Sequence, residues 1–305
     1  MLQVVFLGTA GSLPTPDRNP SAVLVNREGE LLLFDCGEGT QRQMMRAKTG
    51  MMKLSHIFLS HLHADHILGI PGLLETMAFQ GRKEPLYIVG PIRTSAVVSL
   101  FNDLGCCSRN FGINVLEMEP RSVLRMNGYQ VEAVETVHSV PSLGFCLKED
   151  QRLGKFDRDA AVSLGVPPGP LFGRLQRGET VEVEGNVVRP EQVMGSPRPG
   201  RKIVYTGDTR PCKSVEDASR NADLLIHDAA LADDLAEWAV ETRHSTAGEA
   251  GELAARAGVR RLVLTHISSR YSEDVMPLLK NAQSHFENVL VAEDLMRVEI
   301  RLRDE

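Results

Sequence analysis

A short apolar segment, residues 56–60 (HIFLS), runs without a spacer into His61-Leu62-His63-Ala64-Asp65-His66. Short, nearly continuous apolar runs bounded by turn residues predict strands buried on both faces. In α/β proteins, residues that carry chemistry gather where loops leave the ends of such strands. His61 and His63 alternate along extended chain, so both imidazoles can point to one side. Asp65 and His66 then open a helix and face a second position nearby. Three imidazoles and a carboxylate within six residues make a donor set suited to zinc. Buried without a cation, they would leave several polar groups seeking partners. The alternative is a solvated polar loop. The density of the run and its place at a strand end favour a metal.

The rest of the chain supplies a matching rhythm. Residues 2–8, 22–26 and 31–35 predict strands, as do 86–90 and segments near 113–117, 129–137 and 144–148. Helices are expected from 40 to about 48, over 73–79 and at about 93–104. After residue 200 come strands at 202–208, 222–228 and 260–266, helices at about 232–241 and 246–257, and closing strands at 287–292 and 296–302. Residues 150–200 differ in kind. Rich in Pro and Gly, they read as an insertion projecting from the body with one short helix. The expectation is one domain spanning residues 1–305 that carries an arm at about 150–200. The chain is 42% hydrophobic but only 5% aromatic, so aliphatic side chains must build its core.

The five cysteines, Cys36, Cys106, Cys107, Cys146 and Cys212, are odd in number and form no CxxC pair. Neither a disulfide framework nor a structural zinc knuckle is suggested. With no basic leader and no apolar stretch of bilayer length, a reducing cytoplasm and no membrane are expected. The net charge of −6 taken alone argues against a nucleic-acid partner. Residues 151–202, however, hold nine Lys or Arg against six Asp or Glu, and bound metal would add positive charge where a phosphate must sit.

The His61–His66 run resembles the signature of the metallo-β-lactamase superfamily, whose members share an αββα sandwich. Matching motifs follow in the matching order: Asp35 in FDCGEGTQ, His138 in ETVHSVPSLG, Asp208 in YTGDTR and His266 in LTHISSRY. Each follows a predicted strand. The resemblance implies two zinc ions per subunit, with Mn2+ as a possible substitute. His61, His63 and His138 would hold the first, Asp65, His66 and His266 the second, and Asp208 would bridge them. Asp35 would hydrogen-bond a ligand imidazole and fix its tautomer.

Within the superfamily, FLGTAGSLPTPDRN, LFDCGEGTQRQM and ILGIPGLLETMAFQGR are similar to ribonuclease Z. The stretch GVPPGPLFGRLQRGETV resembles that family's protruding exosite arm, with Arg174 and Arg177 placed to meet tRNA phosphates. Lys155, Arg158 and Arg201 are further basic candidates. The resemblance implies a zinc-dependent endoribonuclease that removes the 3′ trailer from precursor tRNA. It would leave a 3′-hydroxyl on the tRNA and a 5′-phosphate on the trailer. A hydroxide shared by the metals would attack phosphorus, Asp65 would take its proton, and His244 in RHSTAGEA would protonate the leaving oxygen. Asp228 would steer His244, although the family commonly has Glu at that place. A homodimer is also implied, one subunit's arm serving tRNA at the other's site. Two alternatives stay open: a hydrolase of small phosphodiesters or other esters, and a non-catalytic RNA-binding relative. His56, His227 and His285 read as structural or surface residues, and Gly8 and Gly11 as turn glycines near the site.

Overall fold

The computed structural model describes residues 1–103 and 110–303. Cys106, Cys107 and the last residue of the helix expected at 93–104 lie outside the described residues. The chain divides into two compact units, Met1–Lys148 with Arg201–Glu305, and Glu149–Gly200.

The larger unit is an αββα sandwich. One seven-stranded sheet runs, in spatial order, Arg297–Glu299, Leu2–Gly8, Ala22–Arg27, Glu30–Phe34, Leu54–Phe58, Leu86–Gly90 and Ile113–Glu117. The other runs Val289–Val291, Leu262–Thr265, Leu224–Asp228, Lys202–Tyr205, Leu143–Glu149, Tyr129–Glu135 and Val123–Met126. Side-chain alternation in the strands builds the layers. Val4 and Phe6 enter the core between the sheets, with Phe145, Tyr205 and Ile226. Val5 and Leu7 turn the other way, to a core shared with Met44, Leu73 and Val98 of three helices. Across the sandwich, Val204, Leu225 and Leu264 pack on Ala250, Leu253 and Leu278.

In each sheet, neighbouring strands pair in parallel, Glu30–Phe34 through Ile113–Glu117 in one and Lys202–Tyr205 through Val289–Val291 in the other. Their carboxyl ends are the positions at which such sheets place chemistry.

Three elements went unanticipated. Strand Val123–Met126 is only four residues long, and its apolar face amounts to Leu124 and Met126, half-buried on the core between the sheets. Helix Lys213–Ser219 is short and largely polar. Helix Met276–Gln283 is the third, and His285 lies in the turn that follows it.

The smaller unit holds two short helices, Arg158–Ser163 and Pro170–Gln176, rather than one. A hairpin, Val181–Val183 with Asn186–Val188, completes it with a 3-10 turn. Asp157 caps the first helix by accepting from the Ala160 amide at 2.9 Å. Val166, Phe172, Leu175, Val181 and Val188 form a small core of their own. Pro and Gly in the connections, not a lack of apolar residues, give this stretch its irregular sequence.

Candidate metal centre

The donors sit one to three residues beyond strand ends. Asp35 follows Glu30–Phe34, His61 lies three residues past Leu54–Phe58, and His138 three past Tyr129–Glu135. Asp208 lies three past Lys202–Tyr205, and His266 follows Leu262–Thr265 directly. Asp65 and His66 lie in the short helix Ala64–Ile67. Asp35 and His266 both adopt left-handed backbone, with φ of 58° and 60°. Such conformations in non-glycine residues are costly and cluster where side-chain direction matters.

Asp35 is fully buried. Its carboxylate accepts from the Ser60 amide at 2.7 Å, the Ser60 hydroxyl at 2.7 Å and the Tyr205 hydroxyl at 2.6 Å. It also accepts from His66 Nδ1 at 2.7 Å. A carboxylate accepts only, so Nδ1 of His66 carries the hydrogen and Nε2 presents its lone pair. The same reasoning extends along the site. The Ser60 hydroxyl is spent on Asp35, so at 3.0 Å it accepts from His61 Nδ1. His138 Nδ1 lies 3.2 Å from the Arg243 carbonyl, to which it donates. The Nε2 lone pairs of His61 and His138 then face His63 Nδ1 at 3.0 and 3.3 Å. Three ring nitrogens so grouped can each turn a lone pair to one cation.

Asp208 joins both halves. Its Oδ2 is 3.6 Å from His61 Nε2, 3.9 Å from His138 Nε2, 3.4 Å from His66 Nε2 and 3.2 Å from His266 Nε2. Asp65 Oδ2 lies 3.3 Å from His66 Nε2 and 3.5 Å from His266 Nε2. Ligand atoms of His61, His63, His138 and Asp208 fall within 4.8 Å of one another, as do those of Asp65, His66 and His266. Asp65 Oδ2, His66 Nε2, Asp208 Oδ1 and His266 Nε2 are buried without a hydrogen-bond partner among the described residues. Orphaned donors of this kind are costly unless something binds them. The residues present therefore fit divalent cations. Burial opposes the charge of Asp65, yet the neighbouring His266 and His66 rings hold the carboxyl far below the usual range. Asp208 is likewise held well below it, by His266, His66 and His61 against the cost of burial.

A third group, Asp208, Asp228, His244 and His266, is equally close, but Asp228 is already engaged. Its oxygens accept from the Thr209 amide at 3.0 Å, the Ala230 amide at 3.1 Å and His244 Nδ1 at 2.9 Å. Burial works against a charged His244, yet Asp228 raises its pKa to about 9. The Asp228 anion thus favours the charged form of His244, which stands beside the metal donors with its ring 5.0 Å from that of His266.

The expected metal donors, Asp35 and the Asp228–His244 pair are thus brought together. Arg174 and Arg177 lie in the smaller unit, where both pair with Glu179, at 2.9 and 3.2 Å. His56 stacks on Tyr87 at 4.8 Å, and His227 is buried with Nδ1 2.7 Å from the Asp228 carbonyl. Gly11 lies in the bend beyond the first strand, whereas Gly8 ends that strand and does not lie in a turn; a Cβ on Gly8 would fall 1.7 Å from the Pro20 carbonyl oxygen. Ser60, Tyr205 and Arg243 were missed by sequence reasoning. Ser60 adjoins the histidine run and could have been suspected. Nothing local marks Tyr205, which lies 170 residues from Asp35.

Comparison with known proteins agrees with this geometry. Residues 2–156 match the family model described as Anti-Pycsar protein Apyc1, and residues 183–267 match the beta-lactamase superfamily domain. The curated "Ribonuclease Z" of Methanosarcina acetivorans is 64% identical over 100% of both chains. That of Archaeoglobus fulgidus is 46% identical over 98% of both. The crystal structure of human tRNase Z, short form, superposes with a TM-score of 0.72 at 29% identity, covering 98% of this chain and 100% of that one.

Fold and donor cluster define a metal-dependent hydrolase of the metallo-β-lactamase type. More particularly, the chain belongs to the ribonuclease Z family. It is accordingly an endonuclease. No helix among the described residues is long and apolar enough to cross a membrane.

Proposed function

We propose that this chain is the endonuclease that cuts precursor tRNA at its 3′ trailer, using two zinc ions per subunit, with Mn2+ as a possible substitute. His61, His63 and His138 would hold one ion, Asp65, His66 and His266 the other, and Asp208 would bridge them. When bound, such a pair makes water acidic and neutralises phosphate oxygens. The protein's own residues do the rest. Asp65 takes the proton of the attacking water. His244, kept charged by Asp228, gives a proton to the leaving 3′ oxygen. Asp35 holds the His66 ring so that Nε2 faces inward.

One observation carries the reading: a histidine hydrogen-bonded to a buried carboxylate, 2.9 Å apart, stands at the rim of the donor cluster. A nucleophile-side carboxylate and a leaving-group acid on one centre are what phosphodiester cleavage needs.

For the wider assembly, the small unit would grip tRNA through Arg174 and Arg177. The enzyme would act as a cytoplasmic homodimer, one subunit's arm serving the other's site. The test is incubation with a precursor tRNA bearing a 3′ trailer, followed by mapping of both product ends. The expected products are tRNA with a 3′-hydroxyl and trailer with a 5′-phosphate, lost in Asp65→Ala and His63→Ala. A 2′,3′-cyclic phosphate, or cleavage only of small phosphodiesters, would contradict it.

A further inference from the structure

We propose that Arg270 and Trp238 form a stacking platform for the base of the last nucleotide retained on the tRNA, the one whose 3′ oxygen leaves. This rests on the tRNA-cleavage reading above and adds a subsite to it.

A cavity of about 280 Å3 opens beside the metal donors, walled by Leu13, Trp238, His244, His266 and Arg270. Trp238 is the single tryptophan of the chain. It is half-buried and packed against the helix-side core of the second sheet, so its indole is fixed. Arg270 is the exposed residue of the turn Ser269–Tyr271, just beyond His266. Its guanidinium carbon is 3.9 Å from the indole centroid, a distance at which the two groups stack. The turn is tied down close by: the Gly11 amide donates to the Ile267 carbonyl at 2.9 Å, and the Ser268 amide to the Ala230 carbonyl at 3.3 Å.

A guanidinium backed by a fixed indole offers its other face to a second planar group. Unstacked bases of RNA settle on aromatic rings and on arginine planes alike. The position of His244 selects which base. It shares the cavity wall with Arg270, and it is the residue assigned to the leaving oxygen. That oxygen belongs to the ribose whose base must lie alongside. The result is a layered arrangement of base, guanidinium and indole that aims the 3′ oxygen at His244. The charge of Arg270 also favours the adjoining phosphates. A sequence reading could place Arg270 near a phosphate through its position after His266. It could not pair Arg270 with Trp238, which stands 32 residues earlier on another helix.

The test compares precursor tRNAs that are identical except for an abasic site immediately 5′ to the cut. Native enzyme should lose about 10- to 100-fold in kcat/KM on the abasic substrate, the usual worth of one base stack. Arg270→Lys keeps the charge but lacks the plane. It should show a similar loss on the intact substrate and almost no further loss on the abasic one. Because Arg270 is exposed, this variant should fold. As a reading independent of turnover, the fluorescence of the sole tryptophan should change when native enzyme binds tRNA ending in the intact 3′ nucleotide, and not when that nucleotide is abasic. Equal rates of Arg270→Lys and native enzyme on intact substrate would overturn the platform, as would equal native rates on both substrates. In either case trailer cleavage itself would stand. Native protein that fails to cut the intact precursor would overturn the tRNA reading and the platform together.

Discussion

The Oδ2 atom of Asp228 lies 2.9 Å from Nδ1 of His244, so the shorter carboxylate reaches the imidazole that a glutamate commonly serves in the family. The strand Leu224–Asp228 ends on the residue itself, and amides of Thr209 and Ala230 hold its oxygens in place. Replacement of Asp228 by Asn keeps the shape but removes the charge that raises His244. His244 must be protonated to act as an acid, so activity is lost as pH rises through its pKa, about 9 in the native chain. Without the anion that pKa drops. The alkaline limb of the kcat profile should therefore move to lower pH, with kcat at neutral pH falling about 100-fold or more. The measurement is kcat against pH for both proteins. An unmoved limb would remove His244 from the role of acid.

Asp35 is expected to act through His66. In Asp35→Asn one oxygen becomes an amide donor facing the hydroxyls of Ser60 and Tyr205 and the Nδ1 hydrogen of His66. Donor meets donor in a buried place, which is costly. The second metal should bind about 10- to 100-fold more weakly, read by titration with zinc. Affinity within twofold of native would show that the Asp35–His66 contact does not govern the ligand.

Gly11 is set against His266. A Cβ there would fall 2.9 Å from the His266 carbonyl oxygen and 3.0 Å from Nδ1, closer than packing allows. Because His266 already holds a left-handed backbone, its ring has little freedom to yield. Gly11→Ala should retain its fold by circular dichroism and lose about 100-fold in kcat, the scale of an ångström-sized displacement at a reacting centre. Unchanged kcat would mean the loop moves instead.

In the small unit, Glu179 pairs with both arginines offered to tRNA. Exposed pairs of this kind are weak, so a phosphate can compete for the guanidinium groups. Arg174→Ala should raise KM for precursor tRNA and reduce the slope of affinity with log salt by about one. Glu179→Gln frees both arginines and should lower KM. Salt-dependent binding assays of the two variants check this. A raised KM in Glu179→Gln would instead make the glutamate a folding partner of the arm.

Much of the site was legible because its donors lie close in sequence or directly follow strands. His61, His63, Asp65 and His66 share one run, and Asp35, Asp208 and His266 each end an apolar stretch. The Ser60 and Tyr205 contacts with Asp35 depend on how two sheets face one another, which no local pattern encodes. The same holds for Arg243, whose carbonyl accepts from His138. Strand Val123–Met126 was illegible because its four residues set only Leu124 and Met126 against the core, too short an alternation to stand out. Among residues 150–200, turn-forming Pro and Gly masked a core built from Phe172, Leu175 and Val181.

The account depends most on the convergence of buried donors around Asp208, whose Oδ1, like Nε2 of His66 and of His266, has no hydrogen-bond partner among the described residues. The direct measurement is a metal count on purified, extensively dialysed protein, native and Asp208→Ala. Two equivalents of zinc or manganese per native chain are expected, with one or fewer in the variant. Removal of the metal with chelator should also lower the melting temperature, since bound ions stabilise only the folded state. A native protein holding well under two equivalents, with no uptake when either metal is supplied, would contradict the account.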